Sequence, residues 1–326
     1  MSAQWRWGEL FFGILDRNWG PSGVQGALLS DNPYSMDHLG VALGTRRVQL
    51  QFIATQLDTR TDPSGAPVNR FMTQHRIWIH PRGRWTLAFW NGAIVSGVGR
   101  QPEPWFLNPA GLTYFRSSMV LDINDFVGVE IERRARVTLF GQFMLDDIQV
   151  SRNGLGDLEP ASFALTVGAK GRAVTPSATW TFFYTQVANP TYRTARPTEE
   201  ALYNGLGIGR NFADYDQATA KLGVLLGPTL LVEPEVTVLR QGEGDPRLPY
   251  PSEAQFPITP VLFEGVVQRT VRLALGGSWQ LRGVSVTGNA GVHLLSNYDH
   301  AAGVSHTEFV GSIAVSYRLH HQDVLP

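Results

Sequence analysis

Three carboxylate pairs stand close enough along the chain for acid–base work: Asp146-Asp147, Glu130/Glu132 and Glu233/Glu235. A glycosidase needs two carboxyl groups flanking one bond, one of them held protonated. Neighbours in a strand point to opposite faces, so Asp146 and Asp147 could not share a reacting atom. The i, i+2 pairs do share a face, but nothing in the sequence marks one member as a raised-pKa acid. The simpler reading is a wet, charge-compensated interior lined by Arg76, Glu130, Glu132, Gln142, Asp146, Lys221, Glu233, Glu235, Arg272 and Arg318.

Other chemistry finds little footing. The eight histidines are scattered. His320-His321 and Tyr298-Asp299-His300 set a histidine beside another titratable group, and His75 and His293 are the remaining prompts for an enzyme acting on lipid or glycan. There is no nucleophile elbow, zincin helix or phosphate-cradling loop. Cysteine is absent, which removes thiol catalysis, disulfides and thiolate metal sites. The expectation is a protein without catalytic residues, metal or cofactor.

Two segments are built differently. Arg17-Asn18-Trp19 with Asp31, Asn32 and Tyr34, and Trp105-Phe106 with Asn108 and Tyr114, mix aromatic rings with amides, a carboxylate and turn formers. Such mixtures stack on sugar rings and hydrogen-bond their hydroxyls, so these ten residues are candidate polysaccharide contacts. The same residues also make rigid turns, and a segment so built can fold inward and narrow a lumen.

The elements that would position these groups read as strands. From Trp5 to Leu319 about fourteen alternating segments follow one another, within a range of roughly 12 to 18, joined by connections that are short and long in turn. Val284, Val286, Ala290, Val292 and Leu294 interleave with Ser285, Thr287, Asn289 and His293; Phe309, Ile313, Val315 and Tyr317 interleave with Ser312, Ala314 and Ser316. Tight turns fall at residues 44–47, 81–84, 133–136, 171–177, 227–228 and 281–283. Long connections fall at about 18–37, 59–70, 97–124, 150–161, 189–214, 241–262 and 297–307. Trp85, Trp180, Phe182, Tyr184, Trp279 and Tyr317 lie near segment ends, where amphipathic rings favour the headgroup layer. This is the pattern of an all-β, transmembrane antiparallel β-barrel with short periplasmic turns and long extracellular loops. An even strand number puts both termini on the periplasmic side, and residues 1–326 form one barrel domain.

Composition agrees. The net charge of −1 gives no field for nucleic acid. No apolar run reaches the ~18 residues of a spanning helix. Strand-like sequence begins at Trp5, so the expectation is a chain lacking its signal peptide and possibly N-terminal strands.

The order Arg17-Asn18-Trp19-Gly20-Pro21, Leu29-Ser30-Asp31-Asn32, Gln74-His75-Arg76, Leu107-Asn108-Pro109 and Gly141-Gln142-Phe143-Met144-Leu145-Asp146-Asp147 resembles the capsule assembly Wzi family of outer-membrane proteins. The resemblance covers most of residues 5–190; beyond that only the barrel pattern is similar. It implies a bacterial outer-membrane lectin that holds capsular or other exported polysaccharide at the cell surface without chemistry. Outer-membrane lipid, surface polysaccharide and, during biogenesis, the barrel-assembly machinery would be its partners. Members of that family are longer, with further sequence ahead of the Trp-Gly-Pro motif. The alternative from the barrel pattern alone is a passive, porin-like channel for small solutes.

Overall fold

The computed structural model describes residues 1–81, 83–111, 123–147, 153–155, 158–173, 175, 177–281 and 283–317. Fourteen strands of eight residues or more make the wall: β2 (Gly8–Leu15), β3 (Met36–Gly44), β4 (Val48–Gln56), β6 (Pro67–Ile79), β7 (Trp85–Val98), β8 (Ile123–Arg133), β9 (Val137–Asp147), β10 (Ser162–Arg172), β11 (Ala178–Val187), β14 (Tyr215–Leu226), β15 (Leu230–Gln241), β16 (Gln268–Leu281), β17 (Val284–Ser296) and β18 (Ser305–Tyr317). Short pieces complete the set: β1 (Ser2–Trp5) ahead of the wall, β5 (Arg60–Thr61) beside β6, and the small ladder β12 (Leu202–Tyr203) with β13 (Leu206–Gly207). All pairings are antiparallel between strands consecutive along the wall, from β1 to β18. The all-β barrel architecture and its strand number therefore follow the sequence reading, as do the tight turns at 44–47, 133–136 and 227–228; the other three fall partly outside the described residues.

Alternation decides which way each side chain faces. On β15, Leu230, Val232, Pro234, Val236 and Val238 point outward and Glu233, Glu235, Thr237 and Leu239 inward. That outward run matches the roughly 9–11 residues a tilted strand uses to cross hydrocarbon. Pro234 has no N–H to give; the β14 ladder skips from Lys221↔Glu235 to Val224↔Val232 across it. Leu273, Leu275, Val292, Phe309, Ile313 and Val315 extend the apolar exterior over β16–β18. At the short-turn end the outward rings are Trp85, Trp180, Trp279 and Tyr317. At the other end the outward groups turn polar: Asp216 accepts from the Tyr184 hydroxyl (3.0 Å) and from Arg240 Nε (3.0 Å). An apolar belt between an aromatic girdle and a polar rim is a lipid-facing surface.

Two expectations are corrected. The segment around Trp5 is not the first strand: Arg6 and Trp7 turn the chain, so β1 pairs back on β2 and the N-terminus lies partway up the wall, with the Met1 ammonium donating to the Phe12 carbonyl. An Arg-Trp turn without Gly or Pro at its centre carries no turn signature. Second, three of the long connections do not stand out in the medium, as described below. Among the described residues β1 and β18 are not hydrogen-bonded to each other, so the wall carries a seam there.

The main core lies within the curl of the wall. Ile53, Met72, Trp90, Ile94, Phe126, Met144 and Val187 from the strands pack with Trp19, Leu28, Leu29, Tyr192, Ala201 and Ile208 from two connections. Such a core is a plug.

Candidate functional site

The first plug segment joins β2 to β3. Asn18 shapes it: its Oδ1 accepts from Gly20 N and Gly26 N (2.8 Å each), and its Nδ2 donates to the Val24 carbonyl (3.1 Å). A Cβ on Gly20 would lie 1.9 Å from that same carbonyl oxygen, so only glycine fits the turn. Trp19 is 8% exposed, with its backbone N–H on the Leu29 carbonyl. From the wall, Gln142 fastens the segment at both ends. Its Nε2 donates to the Trp19 carbonyl (2.7 Å) and its Oε1 accepts from Ala27 N (2.8 Å).

The second plug segment joins β11 to β14 and crosses to the strands opposite. Tyr192 starts it, with its N–H on Asp146 Oδ2 (2.6 Å). Further along, Arg70 of β6 donates to the carbonyls of Thr198 (2.5 Å) and Glu200 (2.6 Å) and pairs with Asp58 (2.7 Å). Asn124 of β8 donates to the Glu199 carbonyl (3.0 Å), and Arg210 returns to Thr166 of β10 (3.0 Å). The two segments interlock: the Tyr192 hydroxyl donates to the Ala27 carbonyl (2.5 Å), Ser30 N to the Ile208 carbonyl (3.0 Å) and Asn32 Nδ2 to the Gly207 carbonyl (2.9 Å). Gly209 passes so close that a Cβ would sit 1.9 Å from the Ala27 oxygen. Burial holds the Tyr192 phenol far above its ordinary pKa, so it stays a donor.

A third connection, between β7 and β8, goes the other way. Phe106 is fully buried, but against Phe71, Ala93 and Val95, whose register places them on the outer face of the wall. The Asn108 carbonyl meets His75 Nε2 at 2.9 Å on that face. The segment Gln101–Gly111 thus drapes over the exterior and covers the outward polar residues Thr73, His75 and Asn91.

The candidate sugar contacts are therefore divided. Asn18, Trp19 and Asn32 are structural parts of the plug, and Trp19 has no free face for stacking. Trp105, Phe106 and Asn108 lie on the other side of the wall, and Phe106 is closed off entirely. Asp31 and Tyr34 are exposed. Arg17 lines a cavity. Tyr114 lies outside the described residues, as do Arg318 and His320-His321.

Among the described residues, the lumen-lining candidates fall on the inner face. Arg76 pairs with Glu130 (2.8 Å), Glu132 with Arg134, and Glu235 with both Lys221 (2.9 Å) and Arg272 (3.5 Å). Arg272 continues to His293 Nε2 (2.6 Å), whose Nδ1 lies 3.1 Å from Glu308. Gln142 and Asp146 hold the plug, and Glu233 shares the inner face with Glu235. Sequence reasoning missed Arg70, Tyr192 and Gly209; an arginine at the start of the strand Pro67–Ile79, on the same face as Arg76, was the one available signal.

Beside the plug lies a cavity of about 410 Å³ between Asp16–Trp19 and the inner face of β2, β3, β4 and β6. Burial lowers the pKa of the Arg17 guanidinium there, with Glu9 acting against that shift through space.

No protein-family model and no curated protein matches this chain. Among solved structures it is similar to the outer membrane channel DcaP of Acinetobacter baumannii, with 8% identity, a TM-score of 0.39, and coverage of 95% of this chain and 94% of that one. It is also similar to the copper transporter OprC, with 12% identity, a TM-score of 0.40, and coverage of 96% and 64%. A mutant ferric enterobactin receptor of Pseudomonas aeruginosa, PfeA, gives 11% identity, a TM-score of 0.39, and coverage of 89% and 54%. The chain spans about half to two thirds of the length of the latter two.

Proposed function

We propose that this chain is an occluded outer-membrane β-barrel that binds exported polysaccharide and tethers it at the cell surface without chemistry, as the resemblance to the capsule assembly Wzi family implies. The observation that supports it best is the interlocked plug. Two segments hydrogen-bonded to each other and to opposite strands fill the lumen on the β3–β14 side, which suits a protein that displays a surface better than one that passes solutes. Surface polysaccharide is the ligand, outer-membrane lipid surrounds the belt, and the barrel-assembly machinery inserts it. Many weak contacts along one polymer supply retention through high effective concentration.

A passive channel is the second reading, favoured by one observation: the inner face of β16–β18 is polar and uncovered by the plug. Two measurements separate the readings. Retention of the producing cell's own surface polymer on immobilised protein, with silent planar bilayers, is the expected result. Steady conductance without polymer retention would overturn the tethering reading in favour of the channel.

A further inference from the structure

Arg17 presents an unusual combination. Its guanidinium lies over the Phe11 ring (5.2 Å to the centroid) on the inner face of the wall, half-buried beside the cavity. Among the described residues it makes no hydrogen bond and no ion pair, and its Nε is shut away from solvent without an acceptor. The one donor that this half-buried guanidinium has withdrawn from water, Nε, has gained no acceptor in return, which is costly, and its other donors still face the cavity.

Of the other charged groups around the cavity, Arg76 is paired and Asp16 is hydrogen-bonded but keeps its charge. Arg76 is committed to Glu130, and its guanidinium covers the Trp19 ring at 5.6 Å. Asp16 accepts from the Ser35 hydroxyl (2.5 Å). What remains is Arg17, with Glu9 near it but not in contact, and the amide pair in which Gln51 donates to Gln49 (2.8 Å). One cation flanked by the carboxylates of Glu9 and Asp16 suits a single negative charge better than a dianion. Carboxylates match the guanidinium fork bidentately, and side-chain amides are the usual partners of sugar hydroxyls. The volume of about 410 Å³ falls in the roughly 300–1,000 Å³ of small-ligand sites.

We propose that this cavity binds a carboxylate-bearing sugar unit, a hexuronate within a polysaccharide, with Arg17 as the partner of its carboxylate. The inference rests on the tethering reading and gives that reading a substrate class. Glu9 limits the site to monoanions, and the Gln49–Gln51 pair orients the ring hydroxyls.

The test uses the full chain in lipid nanodiscs, titrated calorimetrically with oligogalacturonate and with the same oligomer methyl-esterified, which removes the charge and keeps the sugar. The acid oligomer is expected to bind about tenfold or more tighter than the ester, the range a hydrogen bond to a charged group confers. Arg17→Gln should bring acid binding down to the ester level, Arg17→Lys should restore part of it, and Glu9→Gln should tighten it. A heat-modifiable shift on gels confirms that each variant is folded. Equal binding of acid and ester, binding of neither, or wild-type binding by folded Arg17→Gln would overturn the inference. Retention of the cell's own polymer, measured in parallel, decides the tethering reading separately. Retention that is unchanged by Arg17→Gln sinks the hexuronate site alone, whereas no retention by the unmutated chain sinks both.

Discussion

Gln142 is the residue on which the plug's position depends. It is a single wall side chain, almost fully buried, holding one carbonyl and one N–H of the first plug segment. Removing it leaves two buried backbone groups unpartnered at about 1–3 kcal/mol each, without touching the strand ladder. Gln142→Ala should therefore loosen the plug while the folded barrel band on gels is retained. Brief conductance openings in planar bilayers would report the loosening, and a variant as silent as the parent would show that the fastening is redundant. Gly209→Ala acts at the other contact. Its methyl group would have to occupy the space of the Ala27 oxygen, so the two segments must separate, and openings longer than those of Gln142→Ala are expected. Neither residue announces its role in the sequence. Gln142 reads as one more wet position on an alternating strand, and Gly209 as one more loop glycine.

The connections show how far the pattern carries and where it stops. Period-two alternation placed the side chains of β17 and β18 on their observed faces, because a strand in a two-sided wall has only two orientations and its apolar set must choose lipid. A connection has no such rule. Trp105-Phe106-Leu107 is as suited to the lumen as to the exterior, and the outer-wall residues Phe71, Ala93 and Val95 that receive it are indistinguishable in sequence from lipid-facing ones. Only the outward register of Thr73, His75 and Asn91, polar groups on an otherwise oily face, hinted that something covers that sector. A direct consequence concerns Leu107, which is partly exposed on the draped segment. A nitroxide attached at Leu107→Cys in liposomes should be relaxed more by dissolved oxygen, which partitions into lipid, than by a water-soluble nickel chelate. At Tyr34→Cys, the order should reverse. Matching behaviour at the two positions would put the β7–β8 segment in the medium instead.

At the scale of the molecule the wall is asymmetric. Strands β6 through β11 carry the plug on their inner face, and β6 to β8 also lie beneath the draped segment. Their backbone is paired on both edges and shielded on at least one face. β18 is exposed along its length and β1 is a short edge, each with one row of backbone groups unpaired among the described residues. Opening free energy follows such differences, since a segment with few buried contacts opens without disturbing the rest. Amide hydrogen exchange in detergent should therefore be slowest in β6–β11, with Trp90, Ile94 and Met144 as reporters, and should quicken toward β18 and β1. In a bilayer the unpaired rows of a seam have no water to satisfy them, and each such group costs several kcal/mol. Whatever pairs with those edges in lipid should protect β18 far more than detergent does, while β6–β11 changes little. Uniform protection across all fourteen long strands in detergent would mean that the seam is already closed there, and that the plug contributes less to the wall's stability than its contacts indicate.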